Sequence, residues 1–177
     1  MLQQLEKTSD ATALIAAMVT RARAAQSVIG KSDFTTRCAV LQAAATLIRA
    51  QKTSILEVNK KDVAAAKASG ISGAFIDRLT LDDSGVEAMA NGLEAMTRLH
   101  DPIGHELARW QQPSGLDITR ISTPLGVIGI IYESRPNVTV DAAGLCIIAG
   151  NAAILRGGSD SQLTASLLAS IMAEGLD

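Results

Sequence analysis

From residue 10 to about Arg98 apolar residues recur at intervals of three and four, the spacing that puts them on one face of a helix. Asp10 is a candidate cap for a first helix with Leu14, Ile15, Met18, Ala22, Ala25 and Ile29 on its apolar face, ending at Gly30. Ser32 is a candidate cap for a second, which carries Cys38, Leu41, Ala45 and Ile48. The pattern predicts a third helix from about Thr53 to Ser69, stopped by Gly70 as its C′ residue. A fourth is predicted after Asp82, with Val86, Met89, Ala90, Leu93 and Met96 in an amphipathic stripe. No reactive group stands out on these faces, so residues 1–104 read as a packed helical layer.

The run His100-Asp-Pro-Ile-Gly-His105 breaks this periodicity, and residues 105–123 read as an extended or hairpin segment, with Leu116 to Ser122 its clearest stretch. Thr123 to Gly126 reads as a turn. Val127-Ile-Gly-Ile-Ile131 is an unbroken apolar run, expected of a parallel strand buried on both faces. Pro136 suits the first position of a helix that continues through Val140 to Ile148, with Gly150 at C′. Ala152 to Leu155 is a second short strand. Gly157-Gly158 then turns the chain into a last helix opened by Ser159, which stands three residues before Gln162 in the spacing of a capping box. Strand, helix, strand, helix over residues 124–177 predicts an α/β fold, a right-handed βαβ unit plus one helix behind a helical layer.

Composition narrows the function classes. The 177 residues suggest one domain, or one and a fraction, at roughly 150 residues per domain. Eighteen acidic against 16 basic residues, a net charge of -2, argue against nucleic acid as a partner. With 47% hydrophobic and 19% charged residues the chain is not of the disordered class. The longest uncharged apolar stretch, Ala142 to Leu155, has 14 residues, short of the about 20 that a membrane span needs. Glu6, Lys7 and Asp10 interrupt any signal-peptide pattern, and Cys38 and Cys146 read as reduced thiols of a cytoplasmic protein.

In an open α/β sheet ligands gather at the carboxyl ends of the strands. Two segments share that edge here, Tyr132 to Asn137 and Arg156 to Ser159, each with an arginine and a helix N-terminus. With neighbouring strands about 4.8 Å apart, Arg135 and Arg156 are able to reach one phosphate-bearing ligand. The other reading pairs Arg135 with Glu133 and Arg156 with Asp160 as ordinary surface ion pairs. Gly157-Gly158 lets a ligand approach the backbone, yet neither G-x-G-x-x-G nor a P-loop is present. His100 and His105 lie across a Pro-Gly break, which does not make a metal pair. Cys38 and Cys146 sit in apolar surroundings as core side chains, and Glu133 lacks an assignable catalytic partner.

Thr123-Pro-Leu-Gly-Val-Ile-Gly-Ile-Ile-Tyr-Glu-Ser-Arg-Pro-Asn-Val-Thr139 and Gly150-Asn-Ala-Ala-Ile-Leu-Arg-Gly-Gly-Ser159 closely resemble the two signatures of the γ-glutamyl phosphate reductase (glutamate-5-semialdehyde dehydrogenase) family, part of the aldehyde dehydrogenase superfamily. Asn59-Lys-Lys-Asp62 and Ile76-Asp-Arg-Leu79 also look like that family. The resemblance implies that residues 124–177 are the first part of a Rossmann-like nucleotide-binding domain, incomplete in this chain. It implies NADPH-dependent reduction of L-glutamate 5-phosphate to the semialdehyde in proline biosynthesis, by way of a cysteine thiolate. Arg156, with Gly157, Gly158 and Ser159, falls where relatives hold the adenosine ribose, and Ser159 stands where NAD-preferring relatives often carry a glutamate, which suits NADP(H). Arg135 falls where many relatives place an asparagine; with Ser134 and Asn137 it is expected on the substrate side, suited to an acyl phosphate or a carboxylate. The family's nucleophile matches neither Cys38 nor Cys146, so the chain is expected to be inactive alone. The family also implies homo-oligomers built through an extended hairpin flap, which Leu107 to Ser122 would supply, with the completing strand outside the chain. The alternative is a non-catalytic nucleotide-binding or interaction protein derived from the same superfamily.

Overall fold

Asp33 starts the second helix, one residue later than expected. Its carboxylate accepts the Thr36 N–H at 2.7 Å, while the Ser32 hydroxyl turns back to donate to the Ile29 carbonyl at the end of the preceding helix. The computed structural model describes residues 2–176, with side chains from residue 10 onward. Helix α1 spans Leu2–Ile29, so Asp10 lies inside it, exposed, and caps nothing. Helices α2 (Phe34–Ala50), α3 (Lys52–Ala68), α4 (Ala74–Leu79) and α5 (Asp83–Met96) follow. Asp82 caps α5 through the Gly85 N–H, as expected. The six-residue α4 is too short to show in the apolar periodicity. At the end of α3, Gly70 takes φ 81° and lets the Gly70 and Ile71 amides bond back to Lys67 and Ala66, the six-to-one and five-to-two pattern of a glycine stop.

Strands β1 (Glu106–Gln111) and β2 (Asp117–Ile121) form an antiparallel hairpin. Strand β3 (Val127–Ile131), helix α6 (Pro136–Ile148), strand β4 (Ala152–Arg156), a short 3-10 turn (Ser159–Ser161) and helix α7 (Gln162–Glu174) complete the fold. Strands β3 and β4 pair in parallel, Val127 opposite Ala152 and Ile131 opposite Arg156, which is the expected βαβα unit.

The core lies between the helical layer and this unit. Leu41, Ile48, Val86, Leu93, Val140 and Leu168 have no exposed surface. Strand β3 departs from the two-sided burial that its run of apolar residues predicts: Gly129 is exposed and Ile131 is 83% exposed. The cause is the size of the sheet, two strands with one helical face well covered. Along β4, between α1 and α7, an apolar trough of about 760 Å³ is lined by Met18, Ala22, Ile154, Ala169 and Leu176 among others.

A buried arginine ties the layers, and a half-buried carboxylate lies within α6. Arg37 of α2, 1% exposed, donates to the Ile148 carbonyl at the end of α6 (2.7 Å) and to both carboxylate oxygens of Asp101 (2.9 and 2.8 Å). Asp141 of α6 is half-buried, and burial raises its pKa above the ordinary carboxylate value, opposed by the Asn137 amide that donates to it. A raised folded pKa means that the protonated form suits the fold, so stability falls as pH rises through that pKa. Asp141→Asn is therefore expected to raise the melting temperature at pH 7, and to raise it less as the pH falls through the carboxylate range. Equal gains at both pH values would assign the effect to something other than desolvation.

Candidate functional site

The tips of β3 and β4 stand side by side, and the Tyr132 N–H extends their ladder by donating to the Arg156 carbonyl at 3.1 Å. Beyond this bond the loops 132–135 and 157–161 run against each other. Gly158 makes the contact possible: a Cβ there would lie 2.0 Å from the Ser134 Oγ and 2.9 Å from its backbone nitrogen. At Gly157 a Cβ would stand 3.2 Å from the Tyr132 ring, whose hydroxyl is hydrogen-bonded to Thr139 Oγ1 at 2.7 Å. Gly158 thus serves loop-to-loop packing first, because nothing larger lets the backbones approach, while Gly157 leaves room for the Tyr132 side chain.

Between these loops and α7 opens a cavity of about 370 Å³. Arg156, Gly157, Gly158 and Ser159 line it together with Tyr132, Thr139, Gln162 and Ser166. Arg156 and Ser159 are exposed, and among the described residues Arg156 makes no ion pair. The Arg156–Asp160 pair of the alternative reading does not form, and Asp160 instead accepts the Ser134 hydroxyl at 3.3 Å. Backbone amides, a free guanidinium and hydroxyls on one wall make a donor-rich concave surface suited to an anion.

The substrate-side candidates lie elsewhere on the same edge. Ser134 is 4% exposed and engaged with Asp160, and Asn137 donates to Asp141 one turn along α6. Arg135 is not among the residues lining the cavity. Its Nε lies 3.9 Å from Glu133 Oε2, which also stands 3.8 Å from Arg78 Nη1 on α4. Arg135 and Arg156 therefore do not converge on one cavity, because Arg135 belongs to a loop four residues past the end of β3 and leans towards Glu133.

The expected capping box of Ser159 and Gln162 does not form. Residues 159–161 make a 3-10 turn instead, and no side chain of that segment caps α7. The cap comes from α3: Asp62 accepts the Leu163 and Thr164 amides at 3.3 and 2.8 Å. Local spacing around residue 159 carries no trace of this partner. Cys146 is 5% exposed, Cys38 is half-buried with its thiol 3.7 Å from the Thr97 carbonyl, and burial pushes both thiols up in pKa. Neither lines the cavity. Among the described residues no group of three or more His, Cys, Asp or Glu is placed to hold a metal ion, and no helix is long and apolar enough to cross a membrane.

Residues 3–177 match the family model described as the aldehyde dehydrogenase family. The chain belongs to the aldehyde dehydrogenase family. Within it, the chain is 50% identical over 172 residues to the γ-glutamyl phosphate reductase of Methylorubrum extorquens strain PA1, a match covering 97% of this chain and 40% of that protein. The crystal structure of γ-glutamyl phosphate reductase from Thermotoga maritima superimposes with a TM-score of 0.86 at 35% identity, covering 89% of this chain and 38% of that one. A 3,6-anhydro-L-galactose dehydrogenase solved in complex with NAP shares the fold alone, at 20% identity and a TM-score of 0.64. The chain spans about two fifths of the length of the curated relatives it matches. The aldehyde dehydrogenase fold thus accounts for the helical layer followed by a small parallel unit.

Proposed function

We propose that this member of the aldehyde dehydrogenase family carries the adenosine-binding edge of an NADPH-dependent γ-glutamyl phosphate reductase. The observation that supports the reading is the unpaired Arg156 on the wall of a cavity it shares with Ser159 and the Gly157-Gly158 backbone. A guanidinium offers a forked set of donors to a phosphate, and a serine, unlike a glutamate, leaves the neighbouring space free of negative charge. That donor set fits an adenosine ribose bearing a 2′-phosphate, the part that separates NADP from NAD. When bound, the nicotinamide end supplies the hydride for reduction of L-glutamate 5-phosphate to the semialdehyde. The residues of this chain hold the other end: Arg156 and Ser159 bind and orient the ribose, and the Tyr132–Thr139 pair closes the floor.

On the substrate side the reading gives Arg135 the direct contact with an acyl phosphate or carboxylate, while Ser134 and Asn137 fix its loop and helix through Asp160 and Asp141. Assembly with further copies through the β1–β2 hairpin belongs to the same reading, and the exposed Leu107, Trp110, Leu116 and Ile121 support it. The 177 residues alone bind but do not reduce, since Cys38 and Cys146 are core side chains.

Calorimetric titration with adenosine 2′,5′-bisphosphate and with adenosine 5′-monophosphate tests this. The bisphosphate is expected to bind more tightly, and Arg156→Ala to weaken it about 10- to 100-fold while leaving the monophosphate nearly unchanged. Added NADPH and glutamyl phosphate are expected to show no oxidation of NADPH. Unchanged bisphosphate affinity in Arg156→Ala removes the cofactor role, and turnover by the 177 residues removes the inactivity.

A further inference from the structure

The amides at the start of α7 are answered by a residue about a hundred positions earlier in the chain. Asp62 of α3, 5% exposed, accepts the Leu163 N–H at 3.3 Å and the Thr164 N–H at 2.8 Å, and the Thr164 hydroxyl donates to it at 2.6 Å. Ser161, the residue in the ordinary capping position, instead sends its hydroxyl to the Gly158 carbonyl at 3.3 Å. One turn earlier on α3, Asn59 is 1% exposed. Its amide donates to the Leu79 carbonyl at 2.9 Å and to Thr164 Oγ1 at 3.4 Å, and its carbonyl oxygen accepts the Leu81 N–H at 2.8 Å.

Two physical consequences follow. First, the segment 157–161 is held at both ends, by the β3–β4 ladder before it and by Asp62 after it, and Gln162 at its far end lines the rim cavity. Second, a buried carboxylate already sits on the amides and the positive end of the α7 dipole, where it is favourably placed. Those groups are therefore closed to an incoming phosphate, which distinguishes this edge from folds that seat a pyrophosphate directly on the helix following a glycine-rich turn.

We propose that Asp62, supported by Asn59, is a positioning residue for the nucleotide site: it fixes the Gly157–Ser161 segment from behind and leaves discrimination of the 2′-phosphate to Arg156. This rests on the reading of the rim cavity as an adenosine site.

The test uses the full 177 residues as wild type, Asp62→Ala, Asp62→Asn and Arg156→Ala, titrated with adenosine 2′,5′-bisphosphate and adenosine 5′-monophosphate well below each melting temperature. Asp62→Ala is expected to weaken both probes by the same factor, about tenfold, as displacement of a supporting group does. The ratio between the probes stays that of the wild type. Asp62→Asn, which keeps one acceptor, falls between, and Arg156→Ala changes the ratio instead. A purely structural Asp62 lowers the melting temperature and leaves affinities in the folded protein unmoved, which overturns the proposal, as does a gain in bisphosphate affinity. Hydrogen exchange gives a readout free of ligand: amides of residues 157–161 are expected to exchange faster in both Asp62 variants. If the wild type binds neither probe, the adenosine reading fails, and exchange alone decides the positioning role. Unchanged exchange at 157–161 then overturns it.

Discussion

Arg37→Ala is expected to cost about 3–5 kcal/mol of folding stability, because it leaves a buried backbone carbonyl without its donor, removes the ion pair to Asp101 and empties a large buried volume. The guanidinium reaches three elements at once: the Asp33 carbonyl at the start of α2 (3.3 Å), the Ile148 carbonyl at the end of α6 and the Asp101 carboxylate, with the Phe34 ring 5.7 Å away. Asp101 is one-third exposed and regains water when the arginine goes, whereas the Ile148 backbone carbonyl lies in the core layer, Ile148 itself being 3% exposed. The dominant penalty is thus the orphaned carbonyl, together with loss of a cation from the negative end of α6. For a chain of this length the loss corresponds to a fall of roughly 6–20 °C in melting temperature. Arg37→Met, which fills the volume, is expected to cost less than alanine, and Arg37→Lys to fall short of the wild type because an ammonium lacks the fork. High salt leaves the wild-type contribution nearly intact, unlike that of the exposed Arg109–Asp117 pair. Urea midpoints of the series check this ordering. An alanine variant within 1 kcal/mol of the wild type, a threshold far below the buried-pair range, disproves it.

The parts of this structure that were legible in the sequence are those set by neighbours in the chain. Gly70 and Gly150 both end their helices at positive φ, since the αL geometry of a C′ residue is a local demand. Strand β3 and helix α6 have the bounds that the apolar run and Pro136 imply. The cap of α2 falls on Asp33, not Ser32, although both are good capping residues, and only the bond from Ser32 to Ile29 decides between them. Strand β1 lies inside the extended or hairpin segment 105–123, but the sequence does not mark its own bounds. Glu106-Leu-Ala-Arg-Trp-Gln lacks a β-branched alternation and becomes a strand by pairing with β2. Asp62 was out of reach altogether, as its partners lie about a hundred positions downstream. The adjacency of the two strand tips was readable and the direction of the arginines was not. Topology places the loops, and side-chain direction then depends on the Ser134–Gly158 contact and on Glu133.

That contact makes Gly158→Ala the variant expected to damage the site most. The added methyl carbon would stand 2.0 Å from Ser134 Oγ, 2.9 Å from the Ser134 nitrogen and 3.1 Å from its Cβ. Rotation of the hydroxyl relieves the first clash only, so the backbones of the two loops must separate. Separation breaks the Ser134–Asp160 hydrogen bond and shifts Arg156 to Ser159 relative to Tyr132. Overpacking of this kind costs about 1–3 kcal/mol, a smaller stability loss than that of Arg37→Ala. The effect on binding is larger, since a displacement of about 1 Å in a positioned group loses on the order of 100-fold. Gly158→Ala is therefore expected to melt a few degrees lower and to lose adenosine 2′,5′-bisphosphate binding by about that factor. Gly157→Ala meets only the Tyr132 ring at 3.2 Å and is expected to lose much less. Adding Ser134→Ala to Gly158→Ala removes the hydroxyl but neither the nitrogen nor the Cβ, so it is expected to restore only part of the affinity. Full restoration by that double variant would mean that the backbones never had to move, and that the two loops are held apart by a single oxygen.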